Sequence, residues 1–215
     1  MVVLALQAPI DTGTFVVRQD SVELARETFE LRSIERAGGP GGWALAAAAR
    51  YAHGPAVTVA LRLLLGADSE PGSLEFDVAN PEQPLRILGQ ASPGRFTVRT
   101  LGRRSERARE YSLAGPTVVL DDSVFAPYMF VAWRARTGHS VTVTALDLRA
   151  ERREPLTVVD LGIVATTLNR DPATLRHIVV ADGATTIDVW LDATGRLMRV
   201  DVPSRDLRIE RVPPA

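Results

Sequence analysis

Hydrophobic residues in this chain recur at every second position, and short turn sequences interrupt them at regular intervals. A period of two is typical of β-strands, because successive strand side chains point to opposite faces, whereas an amphipathic helix repeats about every 3.6 residues. The clearest example runs from Trp43 to Leu65, where two alternating segments flank His53-Gly54-Pro55. This pattern predicts a long antiparallel hairpin, although the alanines at positions 44 and 46–49 would by propensity alone favour a helix.

Ten more segments of this kind follow, each bounded by glycine, proline, asparagine or aspartate. They span residues 74–78, 85–88, 95–101, 107–113, 140–148, 156–165, 175–180, 185–191, 196–202 and 207–211. About a dozen strands in succession, without helices alternating between them, predict a mainly β fold in which an antiparallel sheet runs as a meander.

One segment has helical spacing instead. Between residues 122 and 136, apolar side chains recur three or four positions apart, beginning with Val124 and Tyr128 and with Phe125 and Met129. Asp121-Asp122-Ser123 offers side chains that can cap a helix, and Thr137-Gly138 offers a stop. Because this helix would be apolar around most of its circumference, it must be enclosed. We therefore predict a strongly curved sheet, a half-barrel, with one helix at about residues 122–136 packed in its concave face.

Composition narrows the class of protein. A chain of 215 residues buries about 70% of its surface on folding, which predicts one β-rich domain over residues 9–211 and a short tail at 212–215. With 25 basic and 26 acidic residues, the net charge argues against nucleic-acid binding. The absence of cysteine excludes disulfides, thiolate metal sites and thiol nucleophiles. No apolar run approaches the roughly 20 residues of a transmembrane helix.

Residues 1–8, Met-Val-Val-Leu-Ala-Leu-Gln-Ala, are mostly apolar and precede Pro9. Two interpretations of this segment are open. It is either the remnant of a signal peptide, which predicts a periplasmic or extracellular protein, or a first edge strand, which leaves the protein in the cytoplasm.

Three segments resemble parts of secreted bacterial proteins of unknown function. GTFVVRQDSVELARETFELRSIE (13–35) resembles their first hairpin, LDDSVFAPYMFVAWRA (120–135) their internal helix, and IDVWLDATGRLMRVDVPSRDLRIER (187–211) their closing hairpins. These segments cover about a third of the chain. The proteins concerned are DUF3108-like envelope proteins and the lipoprotein carriers (LolA/LolB-type). The resemblance implies a half-open antiparallel barrel, and in the carriers the concave face takes lipid acyl chains. The chain lacks the acylatable cysteine of the lipid-anchored relatives.

The predicted concave face gives the first candidate site. If the helix occupies the half-barrel, this space is either a filled core or an apolar pocket for a ligand. The side chains predicted to line it are Trp43, Leu45, Tyr51, Leu61, Leu63, Phe125, Met129, Phe130 and Trp133.

An arginine-rich hairpin at residues 95–109 gives the second candidate site. Its turn at Gly102 places Arg103 and Arg104 at a tip, with Arg99 and Arg107 beside them. Such a cluster suits contact with phosphate head groups or an acidic partner, and its alternative is a solvated hairpin.

No motif for catalysis is visible. The three histidines lie far apart and lack metal-ligand spacing, and helix capping accounts for Asp121 and Asp122. We therefore predict no enzyme activity, no cofactor and no metal. The sequence favours a non-enzymatic envelope or secreted protein that binds a hydrophobic, lipid-like ligand. The alternative is a structural or interaction module that docks an envelope protein or an anionic surface through its sheet face or the arginine hairpin.

Overall fold

The computed structural model of the protein describes residues 8–36, 39–52 and 56–213. Within these residues, fifteen strands form one sheet. Their bounds are β1 Asp11–Gln19, β2 Val22–Arg36, β3 Gly39–Tyr51, β4 Val57–Gly66, β5 Pro71–Ala79, β6 Leu85–Ser92, β7 Arg95–Gly102, β8 Ser105–Ser112, β9 Thr117–Leu120, β10 Ser140–Asp147, β11 Arg152–Leu168, β12 Asp171–Ala181, β13 Thr186–Leu191, β14 Leu197–Val202 and β15 Leu207–Arg211. One α-helix, α1, spans Tyr128–Ala132, and a 3-10 turn spans Pro203–Arg205.

The strands follow the order β8 to β1, then β15 to β9, so the first and last strands of the chain pair in the middle of the sheet. In the described residues, β8 and β9 form the two edges and do not pair with each other. The predicted mainly β half-barrel is therefore confirmed. Neighbouring strands are antiparallel except for β9 and β10, which pair in parallel with Thr117 opposite Thr144. The chain passes through α1 between these two strands, and this connection lets both run in the same direction.

The predicted hairpin from Trp43 to Leu65 is confirmed as β3 and β4, with Trp43 opposite Leu65 and Tyr51 opposite Val57. Alternate residues of β4 are buried, which shows that one face of the sheet lies against the core. The alanines of β3 adopt a strand despite their helix propensity because both neighbouring strands supply backbone hydrogen-bond partners. The turn that contains His53 lies outside the described residues.

The helix lies on the concave side of the sheet, and all five residues of α1 are buried. It is shorter than the predicted segment. Pro127 is the N-cap residue of the helix, a position that tolerates its missing backbone N–H. The residues before it are held by i→i−3 bonds, such as Tyr128 N to Phe125 O at 3.0 Å, and similar bonds hold Arg134 and Ala135 after it. Tight turns therefore extend α1 at both ends, and the enclosing sheet compensates for its short length.

The prediction that Asp121 and Asp122 cap this helix is wrong. Asp121 accepts hydrogen bonds from Ser123 and pairs with Arg149 at 2.7 Å, and Asp122 pairs with Arg205 at 3.1 Å. Neither carboxylate reaches the first turn of α1.

The turn that precedes α1 is held from β2, while α1 itself has no side-chain cap among the described residues. The carboxylate of Glu27 accepts the backbone N–H groups of Phe125 and Ala126, both at 2.8 Å. This side chain is 0% exposed. Burial raises the pKa of Glu27 to about 7, against the two backbone hydrogen bonds, which lower it. A buried carboxylate on the sheet therefore holds the start of the helical segment.

On the outer face, the hairpin formed by residues 161–175 folds over β14 and β15; we call it the outer hairpin. It leaves the sheet at a bulge beside Gly162, whose φ of +84° suits glycine. Arg199 of β14 donates to the backbone oxygen of Thr167, and Asn169 donates to Arg211 O at 2.8 Å. These contacts bury Arg199, which is 5% exposed although it points away from the core.

Of the N-terminal segment at 1–8, residues 1–7 lie outside the described residues, and Ala8 is exposed and belongs to no strand. Of the predicted tail at 212–215, Val212 donates to Thr14 O at 2.9 Å, which continues the pairing of β15 with β1. Among the helices of the described part, none is long and apolar enough to cross a bilayer.

Candidate functional site

Most of the predicted concave lining is core. Leu45, Leu61, Leu63, Phe125, Met129 and Phe130 are each at most 2% exposed and belong to the main hydrophobic cluster. The helical segment therefore fills the middle of the half-barrel, and these six side chains pack against one another and their neighbours. Tyr51 lies near the start of the helical segment, where its hydroxyl donates to Ser123 O at 3.0 Å.

The remaining two lining residues meet where the helical segment ends. The rings of Trp43 and Trp133 are 5.3 Å apart in an edge-to-face arrangement, and Phe130 packs on Trp133 at 5.4 Å. The indole Nε1 of Trp133 donates to Gly195 O at 3.1 Å, and the residue is 37% exposed. We call this end of the half-barrel, where β1, β3 and β14 begin, the Trp133 end. It is where the concave filling reaches solvent.

A pocket of about 260 Å³ lies at the Trp133 end. Its apolar wall comes from the sheet, the helix and the residue before β1. The buried carboxylate of Asp11, which also lines the pocket, pairs with Arg211 at 3.0 Å and lies 3.8 Å from Arg196. The pocket is lined by Ile10, Asp11, Leu31, Met129, Trp133, Thr194, Gly195, Arg196 and Leu197. The pocket therefore combines apolar side chains with the ion-paired Asp11 and Arg196, and such a mixed lining suits an amphipathic molecule.

Trp133 also lines a second pocket of about 480 Å³, at the edge of β10. Its other lining residues are Pro116, Arg134, Arg136, Ser140, Val141 and Thr142. The half-exposed tryptophan is therefore shared by two pockets, one mainly apolar and one that contains two arginines.

A third concavity, of about 1050 Å³, is an open trough over β1–β4. Its floor includes the small side chains of Ala46, Ala48 and Ala60, and Arg26 and Arg62 contribute to its walls. The trough shares Ile10, Asp11 and Arg196 with the pocket of 260 Å³. Its lining mixes polar and apolar surface and is more open to solvent, so it encloses a ligand less than the Trp133 end does.

The arginine hairpin is β7 and β8. Two of its four predicted contact residues have acidic partners, since Arg99 pairs with Glu106 and Arg107 pairs with Glu151 at 3.1 Å. Arg103 and Arg104 lie exposed at the turn and form no ion pair within the described residues. The two arginines of this hairpin without an acidic partner in the described part of the chain therefore lie at its tip, while Arg107 and Arg109 share the single carboxylate of Glu151.

In the part of the chain that the structure describes, no group of three or more histidine, aspartate or glutamate side chains could hold a metal ion. His177 lies 2.7 Å from Asp188 and stacks on Trp190 with the ring centres 3.9 Å apart. Arg199 covers the other face of that indole at 4.2 Å. Both faces of Trp190 are therefore occupied, so this stack serves to hold the outer face together.

Sequence reasoning missed Glu27, Asp11 and Arg134. For Glu27 a signal was present, because it alternates in phase with the buried Ala25 and Phe29 of β2, and a carboxylate on a core-facing position needs a partner. Asp11 and Arg134 carried no such signal, since their partners come from distant segments: Arg211 for Asp11, and Glu70 for Arg134 at 2.9 Å.

Comparison with known proteins shows the fold alone. No family model matches the chain, and no curated protein matches it in sequence. Among solved structures, the chain is similar to a β-barrel-like protein of the domain of unknown function DUF1849 from Brucella abortus, with a TM-score of 0.51 and 14% identity. The match covers 95% of this chain and 98% of that one. The likeness supports a β-barrel-like fold of unknown function, and it does not point to the DUF3108-like proteins or the lipoprotein carriers in particular.

Proposed function

We propose that the protein is a non-enzymatic binding protein of the bacterial envelope that takes an apolar, lipid-like small molecule at the Trp133 end of its half-barrel. The observation that carries this proposal is the partly exposed pair Trp43 and Trp133 beside a pocket of about 260 Å³. The envelope location is part of the proposal and rests on the sequence resemblance to envelope proteins.

The filled middle of the half-barrel decides where the ligand would lie. Since Phe125, Met129 and Phe130 are buried among their neighbours, a ligand in the depth of the concave face would have to displace the helical segment. At the Trp133 end it would cover Ile10, Trp133 and the edge of Met129 without such a change. Transfer of apolar ligand surface out of water would drive binding, at about 25 cal/mol per Å².

Binding of the neutral apolar fluorophore N-phenyl-1-naphthylamine tests the proposal. We expect saturable enhancement of its fluorescence with the wild type. Trp133→Ala should weaken the affinity at least about tenfold, since a large aromatic contact is lost. Ile10→Asp places a charge in the pocket wall and should act in the same direction if Trp133→Ala does not fold.

The matched control is Ile163→Ala. Ile163 is 75% exposed on the outer hairpin and lines none of the three pockets. This variant removes exposed apolar surface elsewhere and should bind the probe like the wild type. Absence of saturable binding, or equal affinity in a folded Trp133→Ala or Ile10→Asp variant, would overturn the proposal.

The unpaired Arg103 and Arg104 favour a second candidate function, docking to an acidic partner or an anionic surface. Vesicles with and without anionic phospholipid test this candidate by co-sedimentation. The double variant Arg103→Glu with Arg104→Glu should abolish sedimentation with anionic vesicles and leave thermal unfolding unchanged. Equal sedimentation of wild type and variant would refute it.

A further inference from the structure

We infer that the pocket of about 480 Å³ at the edge of β10 binds the anionic head group of the ligand, so that the substrate class is an amphiphile with a carboxylate or a phosphate. This inference rests on the proposed function, because it assigns the polar end of the same molecule. Trp133 lies between the two halves of the site, since it lines both pockets.

The first observation is a buried donor without an acceptor. The Nε atom of Arg134 is inaccessible to solvent and makes no hydrogen bond. The other end of the same guanidinium donates from Nη2 to Glu70 Oε1 at 2.9 Å, and Glu70 also accepts the backbone N–H of Thr117 at 3.0 Å. An unsatisfied buried donor is costly, about 1–3 kcal/mol, and most such groups in folded proteins have a partner. The same side chain lines the pocket, so a small shift of the guanidinium would let an acceptor in the pocket reach Nε.

The second observation is the charge of the lining. Arg136 is exposed, and its side chain has no hydrogen-bond or ion-pair partner among the described residues. Two of the seven residues that line the pocket are therefore arginines, and none of the seven is acidic. Glu70 neutralises one guanidinium, that of Arg134, and Arg136 leaves the site positive.

The third observation is an unpaired strand edge. Thr144 N donates to Pro116 O at 2.7 Å, where β9 begins to pair with β10. Backbone N–H groups along a strand alternate between its two edges, so those of Thr142 and Ser140 point to the same edge as Thr144. Strand β9 does not extend that far, and the pocket occupies the place of its missing partner. Two backbone donors therefore face the same space as the arginines.

The apolar side of this pocket limits the ligand to amphiphiles. Trp133, Val141 and Pro116 line it together with the donors. A free inorganic anion would use the donors and leave this wall uncovered. An anionic group attached to an apolar chain would use both, with its chain directed along Trp133 toward the apolar pocket.

The experiment compares decanoate with its neutral analogue decanol, and with acetate, which has the head group without the chain. Affinities are measured by displacement of N-phenyl-1-naphthylamine and by calorimetry. We expect decanoate to bind at least about tenfold tighter than decanol, and acetate to bind weakly.

Two variants locate the head group. Arg134→Lys keeps a cation beside Glu70 but removes the Nε donor, and Arg136→Gln removes the unpaired charge. Each should weaken decanoate about tenfold and leave decanol unchanged. Arg153→Gln is the matched control, because Arg153 is exposed and has no ion pair within the described residues but lies away from the pocket. If thermal unfolding shows that Arg134→Lys does not fold, Arg136→Gln carries the test.

The outcomes separate the two proposals. Equal binding of decanoate and decanol overturns the head-group inference and leaves the proposed function standing. A preference for decanoate that survives both variants also overturns the inference, because the anion then binds elsewhere. Loss of binding for the fluorophore, decanol and decanoate alike overturns the proposed function, and the head-group inference falls with it.

Discussion

Glu27 makes the stability of this protein depend on pH in a direction opposite to that of most carboxylates. Its side chain is fully buried, and no ion pair neutralises it among the described residues. Burial raises its pKa from 4.5 to about 7, while the N–H groups of Phe125 and Ala126 lower it. Since the folded state holds the proton more tightly than the unfolded state, rising pH favours unfolding.

The size of the effect follows from that difference. The rise of the Glu27 pKa from 4.5 to about 7 contributes on the order of 3 kcal/mol to the free energy of unfolding at low pH, at about 1.4 kcal/mol per pKa unit. This stability is fully present below pH 4.5, is lost as pH rises through about 7, and does not decrease further above that.

The assay is urea denaturation of the wild type and of Glu27→Gln between about pH 5 and about pH 8. Glutamine does not titrate, so the difference between the two proteins isolates the contribution of Glu27 from all other groups. We expect the difference in the free energy of unfolding to change by about 2–3 kcal/mol over this range. The wild type should become less stable relative to Glu27→Gln as pH rises. Glu75→Gln is the control, because Glu75 on β5 is half-exposed and pairs with Arg86 of the neighbouring strand β6.

A difference between wild type and Glu27→Gln that stays constant from about pH 5 to about pH 8 would refute the reasoning. It would mean that the two backbone donors compensate for burial in full. A change of the same size in Glu75→Gln would show that the effect does not arise from burial.

Three further perturbations test the packing. Gly89→Ala should destabilise the protein by about 1–3 kcal/mol in urea denaturation, because its Cβ would lie 2.5 Å from a ring carbon of the buried Phe96; wild-type stability would contradict this. Arg199→Leu should raise hydrogen exchange in the outer hairpin several-fold, since the bond to Thr167 O is lost, and unchanged exchange would show that other contacts hold the hairpin. For Asp160, hydrogen bonding from an arginine lowers the pKa from 3.8 to about 2, so the stability it contributes is present above pH 3.8 and lost as pH falls to about 2. Asp160→Asn should therefore lose less stability than the wild type as pH falls from about 4 to about 2. A difference in the free energy of unfolding between the two proteins that stays constant over this range would contradict the prediction.

The strands were predictable because strand formation leaves a local mark. Alternation in Val57 to Leu65 shows a strand with one buried face, whichever partners it pairs with. The four-residue β9 was missed, since Thr117–Leu120 is buried at every position and shows no alternation. The extent of the helix was also overestimated. Its apolar spacing continues through Pro127, but the hydrogen bonds around that proline are those of tight turns.

The candidate site was predictable only in part. Trp43 and Trp133 were both expected at the concave face, and they do meet. Whether the space beside them was filled or open could not follow from their identities, because it depends on how closely α1 approaches the sheet. The second pocket depends on where β9 ends along β10, which is a property of pairing between strands.

The sequence by itself determined that this chain forms many strands with one apolar face and that an apolar helical segment must lie against that face. Both follow from the order of side chains within a few residues, since each element must bury its own apolar side. Only the tertiary structure decided that Glu27 accepts hydrogen bonds from a turn 98 residues away, and that Arg134 is left with a buried donor beside an open strand edge. These features arise where distant segments meet, and their energies depend on burial and hydrogen-bond geometry that no local pattern records.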